Sequence, residues 1–113
     1  MKKISLPLDA EHQLCVLSRV EPGCLGPDGD VLVEDFCLFA QTEFDLFKRD
    51  FCRVSLVARF DKKLPELQYS VNGKLLDERK ARQFLHLLGV EFDDLEHELH
   101  SQLARLIDRY LGR

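Results

Sequence analysis

Leu67-Gln68-Tyr69-Ser70-Val71-Asn72-Gly73-Lys74-Leu75-Leu76-Asp77 is the stretch that decides the fold class. Leu67, Tyr69 and Val71 alternate with Gln68 and Ser70, the period-two pattern of a strand with one buried face. Asn72-Gly73 follows, and both residues tolerate positive φ, so the chain turns tightly and folds back briefly over Lys74 to Leu76. Asp77 is then placed to cap a helix.

Working upstream, Val54, Leu56, Ala58 and Phe60 alternate with Ser55, Val57 and Arg59, which predicts a second strand joined to the first by Asp61-Lys62-Lys63-Leu64-Pro65-Glu66. Residues 3–8 and 14–20 also alternate, with Leu14, Val16 and Val20 on one face and Cys15, Leu17 and Arg19 on the other. The polar residues 9–13 read as a hairpin loop between them. Glu21-Pro22-Gly23-Cys24-Leu25-Gly26-Pro27-Asp28-Gly29 has five Gly or Pro among nine residues, which forbids regular helix or strand. Beyond it Asp30 can cap a helix on which Phe36, Ala40, Phe44, Phe47 and Phe51 recur at helical spacing. The β-like Val31-Leu32-Val33 keeps a strand over part of 31–39 as a competing reading.

Downstream of Asp77, Ala81, Phe84, Leu85 and Leu88 share one helical face, and Gly89 is a natural left-handed stop. Asp93 as N-cap with Glu96 three positions on predicts a capping box, and Leu95, Leu99, Leu103, Leu106 and Tyr110 form the stripe of a terminal helix. This order of elements predicts an α+β fold over one domain, residues 1–113. A mostly antiparallel sheet of about four strands packs against a C-terminal helical hairpin and one further helix, in place of parallel βαβ units.

With 113 residues, 45% of them hydrophobic and 32% charged, and a net charge of −4, the composition is that of a globular domain able to hold a core. The N-terminal Lys2 and Lys3 precede Pro7, Asp9 and Glu11, which interrupt any apolar run, so no export signal is expected. No stretch reaches the roughly 18 apolar residues of a membrane span. These features predict a soluble cytoplasmic protein without membrane contact, and hence reduced thiols at all four cysteines, 15, 24, 37 and 52. Cys15, Cys37 and Cys52 have apolar neighbours, as buried thiols do. Cys24 stands apart on its turn.

Charge is distributed unevenly. Residues 1–47 carry 3 basic and 9 acidic groups, residues 48–82 carry 10 and 5, and residues 83–113 carry 3 and 6. Lys48, Arg49, Arg53, Lys62 and Lys63, with Arg59 and interleaved Phe47, Phe51 and Phe60, form a candidate anion or nucleic-acid patch. Against nucleic acid stand the sequence pI of about 5.5 and a phenylalanine spacing that belongs to a core. Asp93, Glu96, His97 and His100 crowd one helix start, but no Cys-x-x-Cys or His-Glu-x-x-His motif is present, and no metal is expected. No phosphate-cradling glycine loop occurs, so no cofactor is expected either.

Cys24 is the candidate nucleophile. It would need a base from among His12, His86, His97 and His100, with oxyanion donors from Gly23 and Gly26, whereas Glu21 and Asp28 would raise its pKa. Without a complete catalytic constellation, the sequence favours a non-catalytic interaction or regulatory protein that binds a protein partner or itself as a homodimer. A thiol-dependent enzyme or redox sensor using Cys24 is the alternative. Anion or nucleic-acid binding through 48–63 is the weaker one.

Overall fold

The computed structural model describes residues 9–46 and 49–113. The strand expected over 3–8, together with Phe47 and Lys48, lies outside the described residues. Four strands, β1 (Leu14–Val20), β2 (Cys52–Ala58), β3 (Leu67–Val71) and β4 (Lys74–Leu76), form one sheet in the order β2-β1-β3-β4. Three helices accompany it: α1 (Gly29–Leu46), α2 (Glu78–Leu87) and α3 (Phe92–Tyr110). The architecture is therefore α+β, as the order of elements predicts.

Two of the three strand pairings are antiparallel, but β1 and β2 run parallel, with Leu14 opposite Cys52 and Val20 opposite Ala58. The sheet is thus mixed and contains a β-α-β crossover that the sequence reading excluded. The helix expected after Asp30 forms, not the competing strand over part of 31–39, and it makes the crossover. Helix takes the whole of Gly29–Leu46, and an 18-residue helix carries the chain about 27 Å, back to the end of the sheet where β1 began. Period-two alternation in β2 carries no information about direction.

Register places Leu14, Val16, Ser18 and Val20 of β1 beside Cys52, Val54, Leu56 and Ala58 of β2, and beside Val71, Tyr69 and Leu67 of β3. All three helices bury their apolar stripes on this face. Val33, Phe36, Cys37, Ala40 and Phe44 come from α1, Ala81 and Leu85 from α2, and Phe92, Leu95, Leu99 and Leu106 from α3. Phe36 meets Tyr110 edge to face at 5.3 Å, an arrangement that suits the ring quadrupoles. The reverse face carries Cys15, Leu17, Arg19, Arg53, Ser55, Val57, Gln68, Ser70 and Leu75, and among the described residues no helix lies over it.

Local chemistry sets most element ends. Asn72 and Gly73 take φ of 49° and 80°, as the hairpin turn requires. Asp77 caps α2 by accepting from the Lys80 N–H at 2.8 Å. Gly89 closes α2 at φ 75°, with the Val90 N–H donating to the Leu85 carbonyl at 2.9 Å, a Schellman ending. Two expected details differ. Helix α1 starts at Gly29, with the Asp28 carbonyl accepting from Val31 and Leu32, so Asp30 lies in the first turn, where the helix dipole favours it. Its buried stripe ends at Phe44, and Phe51 belongs to the segment leading into β2.

The capping box of α3 does not form. Its N-cap is Glu91, without a side-chain bond, because burying Phe92 against Tyr69 at 5.2 Å starts the helix earlier and turns Asp93 and Glu96 toward tertiary partners.

Helix α1 is held to the outer edge of β2 by one side chain. Gln41 Nε2 donates to the Val54 carbonyl at 2.8 Å, and its Oε1 accepts from the Leu56 N–H at 2.8 Å. These two bonds imitate a neighbouring strand on an edge that would otherwise present unpaired backbone groups.

Two substitutions, with Gly23→Ala as a control, test this account by urea unfolding. Gly29→Ala would put a Cβ 1.8 Å from the Pro22 carbonyl oxygen, whereas at Gly23 nothing lies within 4 Å. Gly29→Ala is expected to cost about 1–3 kcal/mol or more, while Gly23→Ala stays within about 0.5 kcal/mol of the parent. Gln41→Leu strands the Val54 carbonyl and Leu56 N–H and is expected to cost about 1–3 kcal/mol.

Candidate functional site

Pro22–Leu25 forms a single 3-10 turn, with the Cys24 N–H donating to the Glu21 carbonyl at 3.0 Å and the Gly26 N–H to the Gly23 carbonyl at 3.2 Å. Leu25 is buried beneath it, and Cys24 is exposed. All four cysteines are free thiols. Partial burial raises the Cys24 pKa first, and the charges of Glu21 and Glu66 raise it further. A nucleophilic thiol needs the opposite environment. The Gly26 N–H, expected as an oxyanion donor, is engaged within the turn. No histidine is among the groups that shift the thiol. His12 faces Asp9, His100 faces Glu66, each at 3.8 Å, and His86 lines a cleft between α2 and α3. Burial pushes the Cys37 and Cys52 thiols up to about 11.

The basic residues do not converge. Arg49, 11% exposed, bonds Glu98 at 2.7 Å beside α3. Arg53 projects from the uncovered sheet face. Lys62 lies 3.8 Å from Glu21, and Lys63 is exposed on the same loop. That loop is braced by Arg59, which donates to the Lys62 and Leu64 carbonyls and reaches Glu21 at 3.4 Å. Arg49 and Lys62 flank opposite ends of β2, whose seven residues span about 23 Å.

The acidic and histidine cluster of α3 is likewise divided. Asp93 bonds Arg82 at 2.7 Å, which holds its carboxyl below the usual range, and Glu96 accepts from the Tyr69 hydroxyl. Neither carboxylate is free to ligate. Among the described residues the one grouping with metal-ligand geometry is Asp9, Glu11 and His12, all exposed.

Two other features come from the structure. The sheet face without a helix combines Leu17, Val57 and Leu75 with Arg19 and Arg53 and, among the described residues, holds no carboxylate. On the far side of the molecule the outer face of α1 shows Val31 and Leu38, 82% and 73% exposed, flanked by Glu34 and Asp45. Helix α1 contains five acids and no basic residue.

A cleft of about 700 Å³ opens between the C-terminal half of α1, Arg49 and α3, where Glu98, Gln102, Arg105 and Arg109 line one wall. Their spacing of four, three and four puts them on one face of the helix. The spacing is legible in the sequence, but their facing Glu43 and Arg49 across the cleft is not.

The Cys24 environment predicts a thiol that is accessible but weakly ionised. Alkylation with iodoacetamide is expected to label Cys24 before buried Cys37 and Cys52, with a pH midpoint above that of a free cysteine. Rapid labelling at pH 6 would show that the thiol is activated. No family model matches the sequence, and no curated protein or solved structure is significantly similar to it.

Proposed function

We propose that this chain is a non-catalytic interaction protein that associates with copies of itself head to tail. The uncovered sheet face of one molecule receives the outer face of α1 from the next. The observation that carries the proposal is the pairing, among the described residues, of an apolar surface bearing arginines without a carboxylate with an apolar helix face bearing acids without a cation. Complementary potentials of this kind steer association and set its register, while the apolar residues supply the area worth burying.

Geometry determines the form of the assembly. Phe36, Ala40 and Phe44 point α1 into the sheet, so Val31 and Leu38 point away from it, and the receiving face is on the sheet's other side. Contacts between opposite sides of identical molecules are heterologous and produce rings or open chains, whereas a closed pair needs one self-complementary patch. A Cys24 environment of partial burial and carboxylates, with no histidine acting on the thiol, removes support from the thiol-enzyme alternative, and the scatter of Arg49, Arg53, Lys62 and Lys63 does the same for a continuous nucleic-acid track.

Sedimentation velocity at rising concentration and low salt is expected to show a mass that grows past the dimer and falls when salt screens the charges. Arg53→Glu, which blocks the sheet face, and Leu38→Lys, which blocks the helix face, should each yield monomers. Mixed together, these two variants retain one good surface each and should form a one-to-one pair that grows no further. A wild-type monomer at all concentrations, or a sharp dimer plateau, would overturn the proposal.

A further inference from the structure

The geometry points to a binding site for a small oxyanion, a carboxylate or phosphate with a neighbouring hydroxyl or amide, in the cleft between α1 and α3. Its volume of about 700 Å³ is that of a small-molecule site. Three guanidinium groups, Arg49, Arg105 and Arg109, face two carboxylates, Glu43 and Glu98, so the lining carries one excess positive charge. The carboxylates hold the site open without filling it. Arg49 gives Nη2 to Glu98, and Arg109 gives Nη2 to Glu43 while its guanidinium lies 5.5 Å from the Phe39 ring centre. Each guanidinium carries five N–H donors, so most remain for a ligand. Arg105, exposed, has no carboxylate partner among the described residues.

Gln102 adds a neutral amide to the same wall. The residue is 7% exposed, lies between Arg49 and Arg105 in the lining, and makes no side-chain hydrogen bond among the described residues. Its amide atoms still reach the water of the cleft, so they are open to a ligand that brings both a donor and an acceptor. The amide N–H2 and carbonyl of Gln102 suit a hydroxyl or amide, Arg105 and Arg109 suit the adjoining oxyanion, and buried Leu106 gives an apolar floor. The site is far smaller than a polynucleotide track and lies apart from the sheet face proposed for self-association.

The test uses the full chain and three probes, inorganic phosphate, glycerol 3-phosphate and citrate, titrated at constant ionic strength with chloride as control. Arginine Nε–H and glutamine side-chain signals in ¹H–¹⁵N spectra are followed. At least one probe should saturate below about 10 mM and move the Gln102 amide and Arg105 signals. Comparing phosphate with citrate tells the two oxyanion sources apart. Arg105→Ala, which removes an exposed group without a partner, should weaken binding about tenfold or more while leaving the thermal midpoint unchanged. Gln102→Met, close in shape, should weaken glycerol 3-phosphate or citrate while leaving the midpoint of the unliganded protein unchanged or higher. Arg53→Glu should leave probe binding intact, so that failure of self-association and failure of this site remain distinguishable. Three circumstances overturn the inference: no saturation by any probe, affinity unchanged in both cleft variants, or a lower midpoint in Gln102→Met.

Discussion

The two hydrogen bonds from Gln41 to β2 fix where helix α1 sits, and the surfaces of the molecule follow from that placement. A helix crossing between two parallel strands can slide and rotate over a smooth apolar face, because the hydrophobic effect is not directional. The bonds to Val54 and Leu56 are directional. They set the axial position of α1 and its rotation, so that Phe36, Ala40 and Phe44 enter the core while Val31, Leu38 and Glu34 face out. They also occupy the outer edge of β2, where another chain could otherwise add a strand. Strand addition along that stretch of edge is thereby blocked. Beyond Leu46 the chain returns to the sheet through Arg49, which reaches α3 and forms one wall of the cleft.

Local signals survived folding wherever the physics is local. The Asn72-Gly73 turn, the Asp77 cap and the Gly89 ending depend on φ preferences and bonds within a few residues, and each occurs where the sequence places it. Three features depend on distant partners and were not legible in that way. The parallel pairing of β2 is decided by where α1 delivers the chain. Tyr69 and Arg82 draw Glu96 and Asp93 away from a capping box that sequence spacing alone favours. Gln41 looks like any polar residue on a helix flank until β2 lies beside it.

Charge shows a similar division. Much of the basic middle third is neutralised locally: Arg59 and Lys62 at Glu21, Arg49 at Glu98, and Arg82 at Glu78 and Asp93. Such exposed pairs add little stability, but they remove these cations from any shared patch. A sequence window that counts Lys48 to Lys63 as one cluster therefore overstates it. The charges left over among the described residues are Arg53 on the open sheet and Arg105 in the cleft, set against the unbroken acidity of α1. Cys24 belongs to the opposite case, a residue conspicuous in sequence whose partial burial, with the charges of Glu21 and Glu66, raises its pKa.

Two glutamines on facing helices illustrate how polar satisfaction separates scaffold from site. Gln41 and Gln102 each carry an amide on the inner flank of their helix, but the two amides meet different surroundings. Gln41 meets a backbone donor and a backbone acceptor, an Asp45 carboxylate as well, and its role ends with the fold. Gln102 makes no side-chain hydrogen bond among the described residues, and its amide atoms stay open to the water of a cleft of about 700 Å³ lined by guanidinium groups. A hydrated amide carries no burial cost, so what separates the two glutamines is availability: the bonding capacity of one is used by the scaffold, and that of the other is left to solvent.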